Sequence, residues 1–202
     1  RHKKTKLDGS ANLLLYGYGS YGASMGPGFS SSRLSLINRN IIWVTTHVRG
    51  GMERGMNWWK SGKLLKKMNS FKDYISSAKF LIEKKYTNKG KIIGMGGSAG
   101  GLLMGAAVNK APELFLGIIM SVPFVDTLTT NLDRSLPLTV GEFGEFGNAK
   151  ENKEHFDYIR SYSPYENIKK MDYPHIFITT SLSDNRVLFD EPTKFVAKLR
   201  DY

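Results

Sequence analysis

Cysteine is absent from the 202 residues, so neither a disulfide framework nor a thiolate zinc site is open to this chain. That absence favours a reducing, cytoplasmic setting. Long apolar runs are missing too: no segment approaches the roughly 20 residues that span a bilayer, and neither a leading signal peptide nor a membrane partner is expected. The first six residues, Arg1-His2-Lys3-Lys4-Thr5-Lys6, are basic with no apolar segment behind them, and the first is not Met. The expectation is a piece of a longer protein or a processed product. Acidic residues are scarce in the first half. Residues 1–110 carry 19 Lys and Arg against 4 Asp and Glu, a net +15, whereas residues 111–202 carry 10 against 14, a net −4. The basic residues scatter through Lys63–Lys67 and Lys84–Lys91 without interleaved stacking aromatics. They read as a solvated surface, or one facing a missing partner domain, and no nucleic-acid partner is expected.

What is present is a chain of one-domain length with 41% apolar residues, enough for a core. Its organising stretch is Lys91-Ile92-Ile93-Gly94-Met95-Gly96-Gly97-Ser98-Ala99-Gly100-Gly101, followed by Leu102-Leu103-Met104. A short apolar run climbs into glycines, a serine sits among them, and a helical pattern follows. Gly96-x-Ser98-x-Gly100 is the spacing of a nucleophile elbow, in which a serine occupies a strand-to-helix turn too sharp for side chains on its flanks. The helix N-terminus then aims partial positive charge where an oxyanion would form. By itself the pattern is equally a glycine-rich turn with a serine cap. The strand before and the helix after favour the nucleophile.

Around this stretch, Asn12–Tyr16, Ile41–Thr46, Gly117–Val122 and His175–Thr180 read as strands, the first without polar alternation, as in a buried strand. Helices are expected weakly over Arg33–Asn38, then from Ser70, with Ser70 as cap and Asp73 three residues on, over Leu102–Asn109, and from Glu191-Pro192 with Phe195, Val196 and Leu199 inward. Pro123–Lys153 reads as long and irregular. Strands alternating with helices predict an α/β fold with a doubly wound, mostly parallel sheet.

A serine hydroxyl needs a base. In an α/β-hydrolase fold the order is serine, acid, histidine, with the acid on a loop after a later strand. Asp184 fits the acid, directly after His175–Thr180; its plain alternative is a turn aspartate. The chain's histidines, His2, His47, His155 and His175, all precede Asp184. His47 alone lies at a strand end on the right face, in the wrong chain order. The expectation is a catalytic domain truncated at its C-terminus, before the final strand and the catalytic histidine.

The blocks Leu15-Tyr16-Gly17-Tyr18-Gly19-Ser20-Tyr21-Gly22, His47-Val48-Arg49-Gly50-Gly51, Gly96-Gly97-Ser98-Ala99-Gly100-Gly101, Val122-Pro123-Phe124-Val125-Asp126, Ser161-Tyr162-Ser163-Pro164-Tyr165 and the segment from Pro192 to Arg200 together resemble the prolyl oligopeptidase family of serine peptidases, in particular its trypsin-like oligopeptidase B branch. The resemblance runs from about Asn12 to Tyr202. It implies an α/β-hydrolase peptidase domain over residues 1–202 that cuts short basic peptides after Arg or Lys. It implies no cofactor and no metal. It implies Ser98 as nucleophile, Asp184 as acid, and the Tyr18 hydroxyl with the Ala99 N–H as oxyanion donors. Glu142 would pair with the basic P1 side chain, and Arg186 would hold a substrate carbonyl. Taken alone, Tyr18 would be a packed loop tyrosine, and Glu142 and Arg186 ordinary surface charges. The chain departs from the pattern at Gly144, where a second acidic residue is usual, so Glu145 is a candidate substitute. The resemblance also implies a β-propeller domain, expected here as a separate or missing partner. An esterase of the same fold, or a non-catalytic remnant of a split or decayed gene, are the alternatives.

Overall fold

Each apolar run becomes a strand of one parallel sheet. The structure, a computed structural model, describes residues 1–202. Strands β1 (Leu13–Tyr16), β2 (Ile42–Thr45), β3 (Ile92–Gly97), β4 (Phe115–Ser121) and β5 (His175–Thr179) lie in the order β2-β1-β3-β4-β5. All four pairings are parallel. Parallel neighbours need crossover connections. These carry helices α1 (Ser31–Asn38), α2 (Met56–Lys60), α3 (Met68–Glu83), α4 (Ala99–Lys110), α5 (Thr127–Leu132), α6 (Thr139–Phe146) and α7 (Lys153–Arg160), and α8 (Asp190–Arg200) follows β5. The expected α/β architecture is therefore the observed one.

The strand order turns around between β1 and β3. In such sheets the carboxyl ends of the strands at the reversal form the natural crevice for a ligand. Two glycine-rich segments leave the sheet there: Gly17–Gly22 after β1, and the Ser98 turn after β3.

Burial explains the unalternating strands. Leu13, Leu14 and Leu15 are all buried, which requires cover on both faces of β1. Residues Ala99 to Val108 of α4 are buried without interruption, so this helix runs through the interior beside β3 and β4. From α3, Phe71 meets Tyr162 with ring centroids 5.3 Å apart, and the Tyr74 hydroxyl donates to the Leu15 carbonyl at 2.7 Å. That bond ties α3 to β1 and satisfies a phenol in the dry core.

Three sequence expectations are corrected. The third helix starts at Met68, and Ser70 is not its cap: Ser70 is buried, and its hydroxyl donates to the Arg49 carbonyl at 2.6 Å. Asp73 instead accepts two guanidinium hydrogen bonds from Arg49, at 2.7 and 2.5 Å. Tertiary partners outcompete the local capping geometry. Second, Pro123–Lys153 is not irregular but holds α5 and α6, short helices whose glycines and β-branched residues weaken the local signal. Third, Lys67 does not belong to a solvated basic surface: it is 1% exposed.

Two phenylalanines of the fold differ sharply in burial. Phe71→Ala, at a site with no exposure, is expected to cost about 3–5 kcal/mol. Phe177→Ala, on β5 and 61% exposed, is expected to cost under about 0.5 kcal/mol. Urea unfolding midpoints measure both, and equal losses would contradict this assignment of the core.

Candidate active site

Ser98 sits at the junction of β3 and α4 with φ 53° and ψ −121°, the left-handed region that non-glycine residues rarely occupy. Its neighbours explain how the turn closes. A Cβ on Gly96 would lie 2.3 Å from the Gly100 carbonyl oxygen, and one on Gly100 would lie 2.8 Å from the Gly17 carbonyl oxygen. Neither position admits a side chain without moving backbone. The Ser98 N–H donates to the Ser121 carbonyl at 2.9 Å, and its own carbonyl accepts from Phe124 N at 3.0 Å. The strained serine is thus clamped between the ends of β3 and β4.

The first N–H groups of α4, beginning at Ala99, have no intrahelical acceptor and face this junction with the helix's positive end. Across from them lies Tyr18, on the loop after β1. Burial pushes its phenol up, offset in part by the nearby Ser98 side chain.

Ser98 opens onto a cleft of about 310 Å³ whose lining includes Tyr18, Tyr21, Glu142, Arg186 and Glu191. Four of the residues singled out from the sequence, Ser98, Tyr18, Glu142 and Arg186, therefore meet around one space. Glu142 is half-buried on α6 and accepts from the Tyr21 hydroxyl at 2.7 Å. Burial pushes its carboxyl up, while the Tyr21 hydrogen bond and the Arg186 charge pull it down. Tyr21, itself at φ 59°, packs edge-on against Phe146.

Asp184 stands in the loop after β5, with Oδ1 accepting from Arg186 N at 2.8 Å and Val187 N at 3.1 Å. Those bonds shape the turn that presents Arg186 and Val187 to the cleft. None of the four histidines lines the cleft. His47 is tied by Nε2 to the Met25 carbonyl at 2.9 Å.

Glu145 is the exception among the candidate binding residues. It does not line the cleft but is buried, bonded to Lys67 at 3.4 Å and to the Trp59 indole N–H at 2.9 Å. It is turned inward by those two partners, away from the cleft lining. Sequence reasoning passed over Tyr21 and Glu191. Glu191 is 3% exposed, accepts from Asp126 N at 2.9 Å and from Thr130 Oγ1 at 2.6 Å, and its carboxyl is pushed up to about 7 by burial.

A parallel sheet with a serine elbow at its switch point defines an α/β-hydrolase catalytic domain. The model of the prolyl oligopeptidase family matches residues 27–202, and the chain belongs to that family of serine peptidases. Protease 2 of Moraxella lacunata is 50% identical over 193 residues, which is 96% of this chain and 28% of that protein. Dipeptidyl aminopeptidase BI of Pseudoxanthomonas mexicana is 48% identical over 199 residues, 98% of this chain and 27% of that protein. Among solved structures, oligopeptidase B from Leishmania major superposes with a TM-score of 0.96 at 46% identity, covering 99% of this chain and 28% of that one. The chain thus spans under a third of the length of the relatives it matches.

The Tyr21 bond to Glu142 can be tested by titration. Tyr21→Phe removes a donor that favours the charged carboxylate, so the Glu142 pKa is expected to rise further. A carbon-detected NMR titration of the Glu142 carboxyl reports it. An unchanged or lower value would show that the hydrogen bond does not hold the charge.

Proposed function

We propose that these residues form the catalytic and specificity half-site of a serine oligopeptidase that cleaves short peptides after Arg or Lys. The observation that carries this reading is the single cleft shared by a strained serine, a phenol and a half-buried carboxylate. Ser98 Oγ attacks the scissile carbonyl carbon. The oxyanion that forms takes hydrogen bonds from the Ala99 N–H and the Tyr18 hydroxyl, donors already fixed in place before the reaction. The intermediate collapses, the peptide C–N bond breaks, and the leaving amine takes the proton surrendered by the serine. Water then hydrolyses the acyl-serine ester.

The proton needs a carrier. In this reading it is a histidine oriented by Asp184 and supplied from outside residues 1–202, because no histidine of the chain reaches the cleft. A β-propeller that limits substrate size would likewise come from the remainder of the full-length protein. Glu142 reads the P1 side chain: a guanidinium entering a partly desolvated cleft engages a carboxylate through two parallel hydrogen bonds. Arg186 is assigned to a substrate carbonyl. The carboxylate facing the cleft argues against the esterase reading, since an uncharged ester substrate gives it no partner.

The experiment is steady-state kinetics of the full-length protein on arginyl and neutral-P1 peptide substrates. Ser98→Ala should abolish turnover of both. Glu142→Gln should lower kcat/KM for the arginyl substrate by the 2–5 kcal/mol typical of breaking a buried charge pair, about 30-fold to several thousandfold. The neutral substrate should be nearly unaffected. Equal losses on both would assign Glu142 to the fold and not to the substrate.

A polypeptide of residues 1–202 alone is expected to retain at most the contribution of the oxyanion donors and binding, about 10³–10⁴ over water. Turnover of an arginyl amide at an ordinary enzymatic rate, in a preparation free of other proteases, would require one of the chain's own histidines as base.

A further inference from the structure

Beneath the cleft lies a charge that the chemistry above does not use. Lys67, the residue before α3, is buried, and its ammonium donates to the Gly19 carbonyl at 2.7 Å, to the Ser20 hydroxyl at 2.6 Å and to Glu145 Oε1 at 3.4 Å. Its Nζ also sits 5.2 Å from the centre of the Phe146 ring. Glu145 Oε2 accepts from Trp59 Nε1 at 2.9 Å, so both carboxylate oxygens are bound.

The placement of these partners matters more than the ion pair itself. Gly19 and Ser20 are the two residues between Tyr18 and Tyr21, so the ammonium grips the middle of the loop whose ends face Ser98 and Glu142. Glu145 lies three residues after Glu142 on α6, close to one helical turn away. One cation therefore holds the loop and the helix together.

We propose that the buried Lys67–Glu145 pair is a positioning device that fixes the oxyanion-side tyrosine and the cation-reading carboxylate on a common frame. The proposal rests on the function proposed above for Tyr18 and Glu142. A pair retained only for stability is a poor explanation, because two charges taken out of water regain little net free energy when they meet. Burial pulls the Lys67 ammonium down to about 8, with Glu145 opposing that shift. The molecule thus tolerates a costly charge at the place where catalytic geometry has to be held. Displacing a reacting group by about 1 Å costs on the order of a hundredfold in rate, so a device that removes such freedom has a kinetic effect larger than its effect on stability.

The two arms of the frame can be loosened separately. Ser20→Ala removes an acceptor on the loop arm, and Trp59→Phe removes a donor on the helix arm while keeping a ring in place. Lys67→Met releases both. In the full-length protein, with active sites counted by burst amplitude, Lys67→Met is expected to lower kcat about tenfold or more on a neutral-P1 substrate and, separately, to reduce the preference for arginyl substrates about tenfold. Ser20→Ala should lower kcat about threefold or more with the arginyl preference retained, whereas Trp59→Phe should raise KM for the arginyl substrate about threefold with a smaller change in kcat. If Lys67→Met does not fold, the split between the other two variants decides the matter. Kinetic constants within about twofold of the parent in Ser20→Ala and Trp59→Phe, or the same change in both, would overturn the positioning role. Ser98→Ala serves as the control: full activity in that variant would refute the proposed function itself, independently of the Lys67 arms.

Discussion

The constraint on which the rest of the site depends is the backbone of one residue. Ser98 holds a conformation that costs on the order of 1–3 kcal/mol for a residue with a Cβ, and the surroundings must over-determine it. They do so by exclusion and by hydrogen bonding. The missing side chains at Gly96 and Gly100 let the end of β3, the start of α4 and the loop at Gly17 approach within van der Waals contact. The Ser121 carbonyl and the Phe124 N–H lock the serine's own peptide groups. Because α4 is buried along nearly its whole length, the strain cannot relax by tilting the helix outward without opening the core. The same close approach brings Tyr18 to the serine, so the nucleophile and its candidate oxyanion donors follow from one packing arrangement.

The specificity side is built differently. Helix α6 is short, eight residues, and its two acidic side chains meet opposite fates: Glu142 is half-buried at the cleft and Glu145 is fully inside. A helix at such a boundary is not held by propensity, since it contains two glycines and is too short to be stable alone. It is held by Phe146, which packs against Phe124 and Tyr21, and by the Lys67–Glu145–Trp59 group. The elbow is positioned by steric exclusion, while the opposite wall is positioned by charge in a dry interior.

That difference decides what the sequence reveals. Strand β1 is legible because burial on both faces leaves a continuous apolar run, Leu13-Leu14-Leu15. The elbow was legible because steric exclusion writes itself as glycines at fixed offsets from a serine. The family resemblance implies roles for Ser98, Tyr18, Glu142 and Arg186, and the fold brings all four to one cleft. Electrostatic positioning leaves no comparable mark. Lys67 stands in a run of basic residues, Lys63, Lys66 and Lys67, and nothing local distinguishes the buried one from its solvated neighbours. Glu145 was read toward the substrate because spacing along α6 places it near Glu142 but does not say which side of the boundary it falls on. Ser70 looked like a cap because its long-range acceptor, the Arg49 carbonyl, is 21 residues away in the chain. The errors cluster where a distant partner, not the local pattern, determines what a polar side chain does.

Burying charge around the cleft also has a consequence for stability that can be worked out in sign. Glu191 is raised from 4.5 to about 7 by burial, so the unfolded chain releases its proton first as pH rises. Between those values the native state binds more protons, stability falls with pH, and above about 7 the cost of the buried carboxylate is fully present. Lys67 is lowered from 10.5 to about 8, chiefly by burial. Below about 8 the native ammonium is charged and its cost is fully present; between about 8 and 10.5 the unfolded state binds more protons, and stability rises. The two contributions therefore overlap at their largest cost in the narrow range between about 7 and 8. A fold shaped only for stability would replace such groups with apolar ones of similar size. Glu191, in the lining of the cleft, holds the Asp126 N–H and the Thr130 hydroxyl, and Lys67 holds the loop between Tyr18 and Tyr21. The cleft thus depends on two ionisable groups whose burial opposes folding at neutral pH. Its geometry is maintained against that cost by the core formed by α3, α4 and the central strands.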